Sequence, residues 1–274
     1  MRLICLVDNC VSRGSTLWGE HGLSFLIETP SGRVLWDAGL SGTVWRHNMH
    51  ELGLEGVPLS AIALSHAHYD HTGGLEAVLE LYPQVPIHAH AELFRPRFSR
   101  RQDKLHQIGL AAQEEALRAR ADLRLSDAPQ ELVPGVWTSG GIHNRPYPQG
   151  SSPHHFVKRG DELLPDDYAD DMSLILEVPG GVVLLCGCCH AGLRNTLALV
   201  RERYQAPLRA IIGGTHLLRA PMEEIQALAE MLRREGLPKL FLNHCTGEKA
   251  IWALAQTFGT DIVAPCPAGT ILEF

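Results

Sequence analysis

Three histidines and an aspartate lie within six residues, at His66, His68, Asp70 and His71. His66 and His68 are two residues apart, so in extended backbone their side chains project to the same side. Buried polar groups need partners, which makes such a dense group difficult to explain as core. Nitrogen and oxygen donors in this number suit one or two divalent transition metals with room for water. The segment therefore predicts a metal centre.

The surrounding sequence alternates between strand and helix patterns, in two similar halves. The predicted strands are Arg2–Val7, Leu23–Glu28, Arg33–Asp37, Ala61–Leu64, Ile87–Ala89, Ser173–Val178, Gly181–Cys186, Arg209–Ile212, Leu240–Asn243 and Thr270–Phe274. The predicted helices are Gly42–Leu52, Leu75–Tyr82, Leu193–Tyr204, Met222–Glu235 and Glu248–Phe258. If each half forms a sheet with helices on one side and the sheets face each other, the α/β fold is a four-layer α/β/β/α sandwich. We expect one domain over residues 1–274.

Two segments interrupt this alternation. A stretch at about residues 91–125 is rich in arginine, and its composition predicts a helical, basic insertion. It is either a solvated surface element or a lid whose arginines, such as Arg95 and Arg97, bind an anionic substrate, since guanidinium groups pair with phosphate or carboxylate. The proline-rich stretch His143–Asp167 is expected to run over the surface as a loop.

Composition excludes several classes of protein. The chain of 274 residues has a formal net charge of −7, which gives no electrostatic reason to expect nucleic-acid binding. No apolar run approaches the roughly 20 residues that span a bilayer, and the first residues do not resemble a signal peptide. An odd number of cysteines, 7, is typical of a reducing compartment, so we expect a cytoplasmic protein. A small-molecule substrate is the expected partner, and a homo-oligomer is compatible with this composition.

The pattern His66-x-His68-x-Asp70-His71 resembles the signature of the metallo-β-lactamase fold superfamily. Further motifs follow in the family's order: Glu20-His21-Gly22-Leu23-Ser24, Leu35-Trp36-Asp37-Ala38-Gly39, Gly187-Cys188-Cys189-His190-Ala191-Gly192, Gly213-Gly214-Thr215-His216-Leu217 and Asn243-His244-Cys245-Thr246-Gly247. Together they resemble the branch that contains the dihydropterin–aminobenzene-phosphate synthase of methanopterin biosynthesis and related metal-dependent hydrolases. The resemblance implies an α/β/β/α sandwich with metals at one edge between the sheets.

The resemblance also implies a ligand set for two divalent transition-metal ions, with zinc expected first and iron or manganese as alternatives. By position, His66 and His68 would hold the first ion, and Asp70 and His71 the second. His244 matches the late histidine that completes the shell of the second ion.

The middle ligands depart from the family's pattern. The superfamily normally supplies a histidine and, about twenty residues later, a bridging Asp or Cys. Cys188 stands at the bridging position, but no histidine precedes it at the expected distance. Either His190 or Asp171 would fill the missing position. Cys186 and Cys189 have the spacing of a redox pair, but Cys186 is expected to end its strand as a small core residue.

The other histidines divide into three groups. His21 and His216 are expected at the active site, and Asp37 is expected to orient a metal-binding histidine or to cap its strand. For His88 and His90 we expect partly buried packing roles. Surface positions are expected for the remaining six, which are His47, His50, His106, His143, His154 and His155.

Together, these expectations predict a metal-dependent hydrolase of a small anionic, phosphate-bearing substrate. A metal-bridging hydroxide would attack this substrate. Asp70 would hold the proton of the nucleophile, and His216 or His190 would protonate the leaving group. His21, Arg95 and Arg97 would contact the substrate. The alternatives are a transferase of the dihydropterin–aminobenzene-phosphate synthase type, and a non-catalytic ligand-binding protein on the same scaffold.

Overall fold

The fold is built from two large β-sheets, one smaller sheet and seven α-helices. The computed structural model describes residues 1–274. The strands are β1 (Arg2–Val7), β2 (Ser24–Thr29), β3 (Gly32–Trp36), β4 (Ala61–Ala63), β5 (Ile87–Ala89), β6 (Arg97–Arg101), β7 (Lys104–Gln107), β8 (Leu123–Leu125), β9 (Glu131–Val133), β10 (Val136–Thr138), β11 (His155–Arg159), β12 (Glu162–Pro165), β13 (Ser173–Val178), β14 (Gly181–Cys186), β15 (Leu208–Gly213), β16 (Lys239–Leu242), β17 (Val263–Pro265) and β18 (Ile271–Glu273). The helices are α1 (Gly42–Glu51), α2 (Tyr69–Thr72), α3 (Leu75–Leu81), α4 (Glu114–Arg118), α5 (Leu193–Arg203), α6 (Met222–Arg234) and α7 (Glu248–Phe258).

The two large sheets have seven strands each and similar topology. Their spatial orders are β18-β1-β2-β3-β4-β5-β8 and β17-β16-β15-β14-β13-β10-β9. In the first sheet, β3, β4, β5 and β8 are parallel neighbours, and in the second β14 to β17 are parallel. Parallel strands bring their carboxyl ends to one edge of a sheet, where ligand sites tend to lie. The loops that leave this edge carry the histidine-rich motifs.

Three apolar layers confirm the predicted α/β/β/α sandwich of two similar halves. Phe25 and Trp36 from one sheet meet Leu185 and Ile212 from the other, all at most 1% exposed. A second core packs α1 and α3 on the first sheet, and a third packs α5, α6 and α7 on the second. None of the helices combines the length and apolar character needed to cross a bilayer.

Strand β14 illustrates how the sequence encodes this layering. Val183 and Leu185 point into the core between the sheets, whereas Val182, Leu184 and Cys186 face the core under the helices. Because both faces of the strand are buried, its sequence is a continuous apolar run without polar alternation.

The helical insertion predicted at about residues 91–125 is wrong. Only α4 is helical there, and β6 and β7 join β11 and β12 in a separate four-stranded sheet with the order β12-β11-β6-β7. The proline-rich stretch, expected as a loop, supplies β11 and β12. β6 forms a hairpin with β7, but its other partner, β11, lies more than fifty residues along the chain, with Ser99 paired to His155, so no local pattern reveals that pairing.

Arg97 is buried in this sheet, which makes its predicted role in substrate binding wrong. Its guanidinium Nη2 lies 2.7 Å from Asp170 Oδ1, and its Nε lies 3.2 Å from Asp166 Oδ2. Its Nη1 donates a hydrogen bond to the Arg95 carbonyl at 3.1 Å. Burial raises the pKa of Asp166 to about 6 although Arg97 opposes this shift. Arg97 therefore neutralises two buried carboxylates.

We expect Arg97→Met to lower the free energy of unfolding by about 3–5 kcal/mol, because Asp166 and Asp170 would be left buried without a counter-charge. A carboxyl group with a raised native pKa binds more protons in the folded than in the unfolded state, so stability falls as the pH rises above about 4. Urea denaturation at about pH 5 and about pH 8 should therefore show the larger loss at the higher pH.

The matched control is Arg95→Met, which removes a partly exposed pair with Glu92. Its effect should stay within about 1 kcal/mol. Similar losses in the two variants, or a loss in Arg97→Met that is the same at both pH values, would contradict this account of Arg97.

Candidate metal centre

The histidine-rich segment begins where β4 ends. The chain bends at Ser65 and Ala67, and α2 then starts at Tyr69, with His68 in extended backbone as its N-cap residue. The loops after β14, β15 and β16 reach the same edge from the facing sheet. They enclose a cavity of about 710 Å³ whose lining includes His68, Asp70 and His190.

His66, His68 and His190 form the first cluster. Ring nitrogens of the three lie within 4.8 Å of one another. The Nε2 atom of each is buried and has no hydrogen-bond partner, and burial lowers the pKa of each well below 6.5. The Nδ1 atom of His190 donates to the Gly150 carbonyl at 2.8 Å, which leaves Nε2 as an unprotonated acceptor. Three unpartnered neutral imidazoles fit a divalent metal ion.

Asp70, His71, His244 and His21 form the second cluster. The Nε2 atoms of His71 and His244 are 3.2 Å apart. Asp70 Oδ2 lies 3.8 Å from His71 Nε2, 3.4 Å from His244 Nε2 and 3.2 Å from His21 Nε2. One carboxylate oxygen among imidazole nitrogens is also a donor set that suits a divalent ion.

Hydrogen bonds behind the second cluster fix its rings. His71 Nδ1 lies 2.7 Å from Asp37 Oδ2, and His244 Nδ1 lies 2.9 Å from Asn9 Oδ1. Burial alone would lower the pKa of His71, but the carboxylates of Asp37 and Asp70 raise it to about 9. The cluster therefore attracts positive charge, either as a proton or as a metal ion. Asp37 orients a histidine of the site, as the sequence suggested.

Cys188 lies between the two clusters. Its Sγ is 3.2 Å from His71 Nε2, and Sγ and ring nitrogens of His66 and His71 lie within 4.8 Å of one another. Burial raises the pKa of this thiol well above 9. Cys245, which sequence reasoning missed, groups with Cys188 and His244 within the same distance. A thiol between two nitrogen-rich clusters suits a borderline ion such as zinc.

Asp170 and Asp171 lie behind the first cluster and hold its backbone. Asp170 Oδ2 accepts from the amide of Ala67, between the first two histidines of the motif, at 2.8 Å. Asp171 Oδ2 accepts from the amide of Ala191 at 2.8 Å, and burial raises its pKa to about 7. Of the two candidates for the missing ligand, the structure therefore brings His190 to the cluster and not Asp171.

His216, Tyr168 and His155 complete the wall around His190. The His216 ring meets His190 edge-on at 4.3 Å between centroids, and Tyr168 stacks on His190 at 4.2 Å. The surface position expected for His155 is wrong, because it lines the cavity and its Nδ1 lies 3.1 Å from the Tyr168 hydroxyl. Burial lowers the pKa values of His216 and His155 to about 4. No sequence signal marks Tyr168, since its role depends on this stack.

Other predicted residues lie elsewhere. Arg95 pairs with Glu92 and does not line the cavity, whereas Arg100 and Arg101 do. His88 and His90 lie outside the clusters, where their ring nitrogens contact Gln130 and Asp127.

The backbone around the site is held in the left-handed region at several non-glycine residues. Positive φ values occur at Asp37 (58°), Tyr168 (46°), Cys189 (55°), His216 (50°) and His244 (49°). This conformation costs roughly 1–2 kcal/mol for such residues, and strain of this kind concentrates at functional sites.

Comparisons with known proteins agree with this geometry. The family profile described as the metallo-beta-lactamase superfamily matches residues 17–238. The 7,8-dihydropterin-6-methyl-4-(beta-D-ribofuranosyl)-aminobenzene-5'-phosphate synthase of Methanocaldococcus jannaschii is 27% identical over 100% of this chain and 97% of its own. A crystal structure of a metal-dependent hydrolase of the beta-lactamase superfamily has a TM-score of 0.85 and 25% identity, over 100% of this chain and 99% of its own. A diphosphatase from the PhnP family has a TM-score of 0.56 and 13% identity, over 100% and 97%, and supports the fold alone.

We expect His190→Ala to lose about one metal ion per chain, because it removes one of three nitrogen donors. Asp171→Ala should keep its ions but bind them about 10–100-fold more weakly, since it acts on the backbone behind His190. Elemental analysis and competition with a chelator measure both effects. If Asp171→Ala lost an ion and His190→Ala kept its full metal content, Asp171 and not His190 would be the third ligand of the first cluster.

Proposed function

The chain belongs to the metallo-beta-lactamase superfamily, and we propose that it is a metal-dependent hydrolase of a small anionic, phosphate-bearing substrate. The observation that carries this proposal is the set of buried, unpartnered Nε2 atoms of His66, His68 and His190 at a cavity of about 710 Å³. A full-length match to a protein described as a metal-dependent hydrolase supports it.

Two divalent ions are proposed, with zinc before iron or manganese because thiol and imidazole donors predominate. When bound, such ions act as Lewis acids and lower the pKa of water. The proposed ligands of the first ion are His66, His68 and His190, and those of the second are Asp70, His71 and His244, with Cys188 between the two sets.

The remaining chemistry belongs to side chains of this chain. The imidazoles of His71 and His244 keep the pKa of Asp70 low although burial opposes this, so its carboxylate stays ionised. It can therefore accept a hydrogen bond from attacking water, instead of holding the proton of the nucleophile as the sequence suggested. His216 is neutral near pH 7 because burial lowers its pKa to about 4. We therefore assign it a hydrogen bond to the leaving group instead of the proton donation that the sequence suggested.

A transferase is the second candidate function. A relative that spans the whole chain is named a 7,8-dihydropterin-6-methyl-4-(beta-D-ribofuranosyl)-aminobenzene-5'-phosphate synthase, and the same site could join two organic reactants if an acceptor replaced water. A cavity of about 710 Å³ is within the range that holds a drug-sized ligand. Because both donor sets are complete, a hydrolase or a transferase is favoured over a non-catalytic binding protein.

We expect the purified protein to carry about two equivalents of metal, and His68→Ala to abolish turnover of bis(p-nitrophenyl) phosphate. His106→Ala is the matched control, because His106 is exposed on β7. Elemental analysis that finds no metal, or unchanged turnover in His68→Ala, would refute the proposed metal-dependent activity at this site.

The two candidate functions differ in the nucleophile, which is water for a hydrolase and an organic acceptor for a transferase. In water enriched in ¹⁸O, a hydrolase incorporates the label into its product, because water is the nucleophile. A transferase makes an unlabelled joined product when it receives an aminobenzene riboside phosphate and a dihydropterin that carries a leaving group, which is released as the new bond forms. Mass spectrometry of the products separates the two, and a joined, unlabelled product would overturn hydrolysis.

A further inference from the structure

Three arginines that line the cavity have no carboxylate partner. Arg100, Arg101 and Arg219 take part in no ion pair, in contrast to Arg194, whose guanidinium binds Glu224 with two contacts of 2.9 and 2.6 Å. The only acidic residues in the lining are this paired glutamate and the Asp70 of the metal centre. In a chain with a net charge of −7, the outer part of the cavity is cationic.

Strand register places Arg101 on the inner face of the small sheet. Arg97 and Ser99 are buried on that face, 0% and 4% exposed, and side chains two residues apart along a strand share a face. Arg101 continues the series, whereas the Arg100 guanidinium lies on the other face, 4.3 Å from the Phe156 ring centroid. Arg101 therefore extends over the cavity.

Arg219 approaches the same region from the opposite half of the molecule. It follows β15 in the loop that carries His216, and it is exposed. His155 lines the same cavity as Arg101 and Arg219, and its ring centroid is 5.4 Å from that of His68.

The cavity wall beside Arg219 is apolar. Leu193, Leu217 and Leu228 line it, and Leu218 lines it with a side chain that is 58% exposed. An exposed leucine at the edge of a polar site suits contact with an apolar part of a ligand.

We propose that Arg101 and Arg219 form a phosphate subsite at the mouth of the cavity, which holds a phosphate monoester group of the substrate away from the bond that reacts. This inference rests on the function proposed above and defines its substrate class: an apolar or aromatic body that carries a phosphate. Two guanidinium groups from opposite walls favour a dianion over a single carboxylate, since each can form paired hydrogen bonds to phosphate oxygens.

Calorimetric titration of the metal-containing protein with phenyl phosphate, and separately with benzoate, tests the subsite. Arg101→Gln and Arg219→Gln should each raise the Kd for phenyl phosphate at least tenfold. Arg234→Gln, which removes an exposed, unpaired arginine at the end of α6, should change it less than twofold. Metal content is measured for every variant, so that loss of ions is not mistaken for loss of the subsite.

A wild-type Kd in both Arg101→Gln and Arg219→Gln, at unchanged metal content, would overturn the subsite, because phosphate would then bind at the ions alone. Tighter binding of benzoate than of phenyl phosphate would overturn the phosphate assignment. Binding does not depend on turnover, so weaker phenyl phosphate binding in both variants supports the subsite whether or not the protein hydrolyses bis(p-nitrophenyl) phosphate. A failure to hydrolyse bis(p-nitrophenyl) phosphate counts only against the proposed hydrolase.

Discussion

The candidate metal centre depends on buried carboxylates that hold the backbone of its donor segments. Asp170 and Asp171 each accept an amide hydrogen bond of 2.8 Å, at Ala67 and Ala191. Asp37 does the same for the amide of Ser65 at 2.7 Å. A carboxylate in such a position costs free energy unless its charge is compensated. The positions of the donor side chains therefore depend on these buried carboxylates and on the groups that compensate their charge.

These charges also explain why the two clusters differ. The first consists of imidazoles that burial keeps neutral, although the charge of Asp70 opposes this at His68. The second contains Asp70 and lies against Asp37, and the two carboxylates raise the pKa of His71 to about 9. One cluster offers neutral nitrogen and the other offers negative charge, so two ions held here would bind donor sets of different net charge.

Sequence alone predicted the parts of the site that local pattern determines. The run from His66 to His71 is contiguous, and the strands on either side of it have apolar patterns that fix their limits to within a residue or two. The choice between His190 and Asp171 could not be made from sequence. Asp171 lies just before the buried strand β13 and His190 lies just after the buried strand β14, so each is a polar residue next to the end of a strand. The sheet that β6 forms with β11 determines where Tyr168, His155 and Arg101 lie. Long-range strand pairing of this kind has no local sequence signal, so the sequence did not predict their positions.

Strand β6 connects the metal centre with the cavity mouth. Arg97, at its start, binds the aspartate behind the Ala67 amide, and Arg101, at its end, lies four residues further along the same face. A strand advances about 3.3 Å per residue, so the Cα atoms of the two arginines are roughly 13 Å apart along the strand. A single strand thereby positions side chains at both the metal-centre end and the outer end of the cavity, and its length limits the length of a molecule that can contact both.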